Sequence, residues 1–516
     1  MATATGRDHP SLDIAAPNRP FRGTSTGAGM TTETTLRTQT PSWATPFGAA
    51  IVVLLLLIPR VAFAVRFGLI GDEAYYAIWS FHPAFNYFDH SPSVAWVIWL
   101  GRAILGESEF AVRSMFLVAD LIVCAALYRI AVVLFGRREI GAVAAIAYSV
   151  TVGVLITFSV ATPDGPSTLF WVLTIWAVAE FTRSRNANWW LLAGAFAGLG
   201  LLSKYTVVFL GAGLLFYLLT SRERLAWLKL WQIWAGGAVA VLLFAPVVWI
   251  NSQRDWNSFR FQLGRSNFAD HVVQPGEFLR FLVETSIQLL PTLFVFVVIG
   301  TVLFFARRGR DLAVPVLTST PMVAYFLADA LFGRVNPNWT APLFPVLALI
   351  GAWAAVNVRP PSRWLRAPLD ALYVLHVPLG LAIMLLAYGI IDSRSVPFIG
   401  KVQAFDFVYG WDDLWSKVST LAKQNGAQWV DTSSYSLNGW LGYYGAIAHD
   451  PLPVYETAEP FRYEYLPPMS AEMKAAPHLW VTPGSGGSSS TMTFLGTVTR
   501  DYQGEPLEPY AVYLVK

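Results

Sequence analysis

Between residues 47 and 391 the chain alternates long apolar runs with short polar links. A helix needs ~20 mostly apolar residues to cross a hydrocarbon core about 30 Å thick. Windows of that kind predict spans over 47–66, 110–135, 140–160, 166–182, 189–203, 205–220, 231–250, 281–305, 312–331, 342–357 and 371–391, about eleven in all. Gly, Pro and Ser interrupt several of them, which bundled helices tolerate because small residues permit close packing. The run SPSVAWVIWLGRAILG (91–106) is too short to span and reads as an amphipathic helix lying in the interface.

The polar links are unequal. With the N-terminus inside, every second span exits into a basic loop: Arg137 and Arg138, Arg183 and Arg185, Arg222 and Arg224, Arg307, Arg308 and Arg310, then Arg359, Arg363 and Arg366. That is the bias expected of cytoplasmic loops. The opposite links carry the acids, amides and histidines, so ionisable groups gather at one membrane face. An odd count of spans puts everything after residue 391 on that outer face.

Both ends lose the span pattern. Residues 1–46 are rich in Ser, Thr, Pro and Gly and read as a disordered cytoplasmic tail, with Met30 as an alternative start. Residues 392–516 regain charge and show strand-like runs at 428–433, 478–483, 493–500 and 511–516, with helical stretches near 412–425 and 434–444. They predict a small α/β domain. The domains are therefore a tail (1–46), a transmembrane region (47–391) and an outer domain (392–516).

Composition agrees with a membrane protein. Hydrophobic residues are 55% and charged residues 13% of 516, against roughly 25% charged in a soluble domain. Lys+Arg 36 against Asp+Glu 33 leaves a net charge of +3, too balanced for a nucleic-acid binder. The single cysteine, Cys124, excludes a disulfide framework and a cysteine-built metal site.

Several short stretches carry chemistry. GDEAYYAIWS (71–80) places Asp72 and Glu73 where the chain leaves the first span. They read either as acids capping a helix or as a general base at the membrane surface. NYFDHSPSVAW (86–96) supplies Tyr87, Asp89 and His90 in what is otherwise an ordinary turn. ATPDGP (161–166) holds Asp164 between two prolines, a rigid turn or a helix cap. Lys204 lies between two apolar helices in LLSKYT, where it either snorkels or meets an anion such as phosphate. NSQRDWNSFRFQLGR (251–265) and RVNPNWTAPLFP (334–345) are rich in hydrogen-bond donors. Several donor-rich loops on one face suggest an anionic, hydroxylated ligand.

The ordered set GDEAYYAIWS, YFDHSPSVAWVIWLG, ITFSVATPDGP, GLLSKYT, NSQRDWNSFRFQLGR, NPNWTAP and WDDL resembles the GT-C membrane glycosyltransferases. The branch is that of the protein O-mannosyltransferases and the lipid A aminoarabinose transferase, and the likeness runs over about residues 70–440. It implies an α-helical polytopic membrane protein of GT-C fold, with interfacial helices in the first periplasmic loop and a small α/β periplasmic domain at the C-terminus. It also implies a multi-pass protein of the bacterial inner membrane, its active site periplasmic. The implied partners are a polyprenyl-phosphate-linked sugar donor, a lipid or glycan acceptor and membrane lipids.

By motif, Asp72, Glu73 and Asp164 would be catalytic, and Lys204, Arg265 and Arg334 would hold the donor phosphate. Tyr75, Tyr87, Asp89, His90, Asn336, Asn338 and Trp339 would shape the sugar and acceptor pocket. Two positions depart from the family pattern: DHSP with Ser91 in place of DHPP, and NPNWTAP with Thr340 in place of NPNWPAP. No cofactor is required by the sequence, although Asp72 and His90 could gather a divalent cation. The chain is expected to act as a monomer, with no nucleic-acid partner. The function implied is sugar transfer from a polyprenyl phosphate to lipid A, lipopolysaccharide core or another envelope acceptor, with inversion. Two alternatives stand beside it: a protein O-mannosyltransferase-type enzyme, or a transporter or flippase of lipid-linked sugars. A transporter favours ionisable groups near the bilayer midplane, whereas here they cluster at one face.

Overall fold

The computed structural model describes residues 41–270, 272–394, 402–487 and 491–516. Of the tail assigned to 1–46, residues 1–40, with the alternative start at Met30, lie outside the described residues, and 41–46 hold a single turn over Ser42–Ala44 and the entry to the first helix. The helices of the apolar region are α1 (Pro46–Arg66), α2 (Gly71–Trp79), α3 (Ser93–Leu105), α4 (Glu109–Phe135), α5 (Arg138–Ser149), α6 (Val152–Phe158), α7 (Asp164–Ser184), α8 (Trp189–Leu201), α9 (Val208–Thr220), α10 (Arg224–Trp227), α11 (Trp231–Gln253), α12 (Asn257–Leu263), α13 (Pro275–Leu289), α14 (Pro291–Phe305), α15 (Ala313–Asp329), α16 (Leu343–Asn357) and α17 (Arg363–Ile391).

Local chemistry sets their ends. Thr45 caps α1 by accepting from the Gly48 amide at 3.0 Å, and Pro46 fills the first helical position. Ser108 caps α4 by accepting from the Ala111 amide at 3.1 Å, and Gly136 ends it in the left-handed conformation. Close approach dictates glycine between α8 and α11: a Cβ on Gly194 would lie 2.0 Å from the Gly236 carbonyl oxygen.

Every segment read as a span is helical, but two are broken. α5 and α6 meet at 70°, where Thr151 starts the second helix by accepting from the Val154 amide at 3.3 Å. α13 and α14 meet at 109°, across Leu290 at φ 64° and Pro291. Among the described residues, five helices are long and apolar enough to cross a membrane, or up to seven if each bent pair is one span. α8, α16 and the Tyr205–Thr220 helix are apolar but shorter. Helix length and composition alone therefore do not reach eleven crossings, because breaks and small-residue contacts let short helices pack within the bundle. α3 buries Val94, Ala95 and Ile98 and exposes Trp99, Leu100, Ile104 and Leu105, giving it one packed face and one open apolar face.

The C-terminal region follows the predicted runs closely. It contains α18 (Trp411–Asn425), α19 (Tyr435–Ile447) and α20 (Ala471–Ala475), with strands β1 (Trp429–Thr432), β2 (Val454–Tyr455), β3 (His478–Pro483), β4 (Thr493–Tyr502) and β5 (Glu505–Val515). The sheet order is β2-β1-β3-β5-β4. β1 runs parallel to β2 and β3, and β5 is antiparallel to β3 and β4. Trp411 of α18 stacks on Trp440 of α19 with ring centroids 3.7 Å apart. α19 then lies against α2: the Trp440 indole donates to the Leu69 carbonyl at 2.7 Å, and the Tyr444 hydroxyl to Glu109 at 2.8 Å.

Candidate active site

The end of α8, the start of α7, the end of α15 and the polar loops between them enclose a cavity of about 830 Å³. Its wall includes Asp72, Tyr75, Asp89, His90, Asp164, Lys204, Arg265, Asn338 and Trp339, all singled out from the sequence. Phe209, Phe244, Phe259, Phe261, Tyr325 and Phe326 form an aromatic, largely apolar side of the same space.

Asp164 is the first residue of α7, held in place by the turn that Pro163 begins. Its carboxylate accepts from the Lys204 ammonium at 2.5 Å and from the Asn338 amide at 3.3 Å. Lys204 follows the last turn of α8, where its own amide bonds back to the Gly200 carbonyl at 2.9 Å. Both side chains are nearly enclosed, 10% and 7% exposed. A buried lysine needs such a partner. Lysine has three N–H donors, so one bond to Asp164 leaves capacity directed at the cavity.

Arg265 follows α12 and pairs with no carboxylate among the described residues. Its guanidinium lies 4.7 Å from the centre of the Trp339 ring and 5.9 Å from that of Phe261. Trp339 is presented by the 3-10 turn Pro337–Thr340. A cation stacked between aromatic rings is a preorganised anion site.

Asp72 opens α2, an N-terminal position that suits a carboxylate. The Tyr435 hydroxyl of α19 donates to it at 3.1 Å. Partial burial against the surrounding walls pushes the Asp72 carboxyl above the usual carboxylate range. The Tyr435 bond and the Arg265 charge pull it down, while Asp89 and Asp164 push it up. Burial, together with the Lys204 and Arg265 charges, pushes the His90 imidazole well below its ordinary value. His90 is therefore neutral at neutral pH.

Asp89 is fully engaged: it accepts from the Tyr75 hydroxyl at 2.8 Å and from the Arg462 guanidinium at 2.5 Å. Tyr435 and Arg462 both come from the C-terminal domain, and neither was singled out from the sequence. No short-range pattern marks them, because they reach the site only through docking of α19 and the turn Pro460–Tyr463.

Four of the candidate residues stand away from the cavity wall. Glu73, neighbour of Asp72, points into the protein: Arg113 Nε and Nη2 reach its two carboxylate oxygens at 2.8 and 2.6 Å, with both side chains fully buried. It also accepts from the Ala161 and Ile70 amides at 2.7 and 3.2 Å. Adjacent helical residues face different ways, so one acid meets the cavity and the other the core. Tyr87 is buried beneath Trp79, ring centroids 4.1 Å apart, and its hydroxyl donates to the His82 carbonyl at 3.0 Å. Arg334 is exposed beyond the wall, and its carbonyl accepts from the Asn267 side chain at 3.2 Å. Asn336 precedes the turn that carries Asn338 and Trp339 and receives the Trp339 amide at 3.0 Å. No three His, Cys, Asp or Glu side chains converge on a possible metal position among the described residues.

Comparison with known proteins agrees with this architecture. The profile of the family described as dolichyl-phosphate-mannose-protein mannosyltransferase matches residues 89–250. The lipid A galacturonosyltransferase RgtD of Rhizobium johnstonii is 24% identical over 353 residues, covering 64% of this chain and 70% of that one. ArnT from Cupriavidus metallidurans, solved bound to undecaprenyl phosphate, superposes with a TM-score of 0.58 at 15% identity, covering 90% of this chain and 97% of that one. The Archaeoglobus fulgidus oligosaccharyltransferase in its apo form superposes with a TM-score of 0.50 at 13% identity, covering 86% of this chain and 70% of that one. The chain has the GT-C fold, as ArnT does, and its profile match and its likeness to RgtD both fall among membrane glycosyltransferases.

Proposed function

We propose that the chain transfers a sugar from a polyprenyl-phosphate carrier to lipid A or a related envelope acceptor, on the periplasmic face of the inner membrane. The observation that carries this reading is one cavity in which a carboxylate without an ion-pair partner, Asp72, shares a wall with two cations, Lys204 and Arg265. The basic exits of alternate spans support the orientation. Likeness to RgtD and to ArnT supports the donor and acceptor classes.

In the reaction, the acceptor hydroxyl gives its proton to Asp72 as its oxygen bonds to the anomeric carbon. The bond from that carbon to the phosphate oxygen breaks, and its electron pair leaves with the polyprenyl phosphate. Arg265 and Lys204 offset the charge that grows there, which is where preorganised donors act most strongly. A single displacement inverts the anomeric centre. The aromatic side of the cavity suits the polyprenyl chain, and Asn338, Trp339 and His90 suit the sugar. The sugar itself is a uronic acid, an aminopentose or a hexose.

The test uses the full chain in nanodiscs with a panel of polyprenyl-phosphate sugars and lipid A, followed by mass spectrometry of the lipids. One sugar's mass is expected to appear on the acceptor, and to vanish in Asp72→Asn while the protein stays folded. Transfer at the normal rate by Asp72→Asn overturns the role given to that residue. Absence of any mass shift across the panel overturns the proposed donor or acceptor class.

A further inference from the structure

We infer that the C-terminal domain completes the active site: Tyr435 is a positioning residue for the Asp72 carboxylate, and Arg462 holds Tyr435 in place. This rests on the reading of Asp72 as the group that accepts the acceptor's proton.

The docking surface is built for close contact. α19 approaches α2 so tightly that a Cβ on Gly439 would fall 2.5 Å from the Tyr75 amide nitrogen. At the other glycine of the contact, a Cβ on Gly71 would fall 3.0 Å from the Ser436 side chain. Glycine on both helices lets the backbones meet, which places the first turn of α19 beside the first turn of α2. Tyr435 is the first residue of its helix and Asp72 the second of its own, so their side chains meet at 3.1 Å. The Tyr435 ring also packs edge-on against Tyr75, centroids 5.1 Å apart.

Arg462 fixes the other side of that ring. Its guanidinium lies 4.8 Å from the Tyr435 ring centre. The same group is forked between two carboxylates, Asp89 at 2.5 Å and Glu459 at 2.5 Å. Asp89 is in turn held by Tyr75 of α2. The chain Tyr75, Asp89, Arg462, Tyr435, Asp72 therefore starts and ends on one helix and passes through the C-terminal domain. Phe461 on Phe88, centroids 4.6 Å apart, and Glu464 with Arg254 also tie this turn down, so the turn that carries Arg462 is held at several points.

The charged and titratable groups that face Asp72 are Asp89 of the first loop, Asp164 of α7, Arg265 beyond α12, Tyr76 of α2 and Tyr435 of α19. Among them Tyr435 supplies the hydrogen bond to the ionised form. Removing its hydroxyl is expected to make Asp72 harder to ionise.

The test labels the full chain in nanodiscs with a carbodiimide, which reacts with protonated carboxyls, across a pH series. The Asp72 peptide is followed by mass spectrometry. Tyr435→Phe keeps the ring and its packing, and its Asp72 labelling midpoint is expected to rise above that of the wild type. Arg462→Lys, which keeps the charge but loses the fork, is expected to move it the same way by less. In the transfer assay Tyr435→Phe is expected to lower kcat and shift its acid limb upward, with donor KM unchanged. A Tyr435→Phe labelling midpoint equal to wild type overturns the inference. Wild-type protein that transfers nothing, with a midpoint that still moves, leaves the positioning intact and overturns the reading of function.

Discussion

Glu73 and Asp72 adjoin in sequence, yet the structure assigns them opposite fates, and a substitution series separates them. Glu73→Ala removes one partner of a fully buried, bidentate pair and leaves the Arg113 guanidinium with main-chain carbonyls alone, those of Phe67 at 2.6 Å, Gly68 at 2.8 Å and Ala64 at 3.4 Å. Stranding a buried charge in this way costs about 3–5 kcal/mol. The Ala161 amide, bonded to Glu73 at 2.7 Å, loses its acceptor as well, at about 1 kcal/mol. The sum, about 5 kcal/mol, is of the order of a whole domain's stability. Glu73→Ala is expected to be lost from the membrane fraction, or to unfold far below wild type in a detergent melt followed by fluorescence-detected size exclusion. Glu73→Gln combined with Arg113→Gln removes both charges and is expected to recover much of the loss, because a neutralised pair strands nothing. Asp72→Asn should melt like wild type. Should Glu73→Ala also melt like wild type yet fail to transfer sugar, Glu73 belongs to the chemistry and the structural argument is refuted.

The Asp72 carboxyl is pushed up, chiefly by its partial burial, so transfer requiring its ionised form is present at neutral pH and lost on acidification. The acid limb of kcat is expected above the ordinary carboxylate value of about 4, and a limb at or below that value counts against the assignment. Arg265→Ala leaves the fold intact and is expected to raise donor KM about tenfold, the loss of one charge-assisted contact; an unchanged KM places the phosphate elsewhere. Lys204→Ala strands the buried Asp164 and should reduce folded yield as well as activity, whereas Lys204→Ala with Asp164→Ala should regain yield without activity, read by the same size-exclusion and lipid assays. Transfer is expected to survive a chelator, since Arg265 with Lys204 supplies positive charge on the cavity wall where the phosphate departs; loss of transfer that added divalent cation restores refutes this.

What could be seen in the sequence divides along physical lines. Apolar periodicity depends on neighbours in the chain, so the helical segments and the strand runs at 478–483 and 493–500 are readable from it, the second strand extending to Tyr502. Lys204 is legible because a lone lysine between apolar helices is costly without an anion, whereas Asp164 reads only as a turn or cap, and their pairing across 40 residues leaves no local mark. Glu73 shows the limit: in a run of two acids, chemistry alone does not say which faces the cavity, although the turn of a helix says that both cannot. Within one motif the same limit divides Arg334 and Asn336 from Asn338 and Trp339, because the 3-10 turn that opens at Pro337 swings only the later residues to the wall. Tyr435 and Arg462 meet Asp72 and Asp89 across 363 and 373 residues. Nothing local to either records that contact, which depends on glycines placed for backbone approach.

The charges of the cavity, counted by partner, favour catalysis over carriage. Lys204 is matched with Asp164 and Arg462 with Asp89. Asp329 accepts from the Asn267 amide at 2.7 Å and from Ser266 at 3.3 Å. Among the described wall residues this leaves one cation, Arg265, and two carboxylates, Asp72 and Asp329, without an opposite charge in contact, and Asp329 is the one already held by several neutral donors. A site that only bound and released a lipid-linked sugar would need the cation for its phosphate and would gain nothing from an exposed acid held by a hydroxyl. Phosphate departure adds negative charge at one place, and hydroxyl attack releases a proton at another. A resting site that sets an uncompensated cation, Arg265, and an uncompensated acid, Asp72, on one wall is complementary to both changes and to neither ground state alone, which is the condition for accelerating the step rather than holding the substrate.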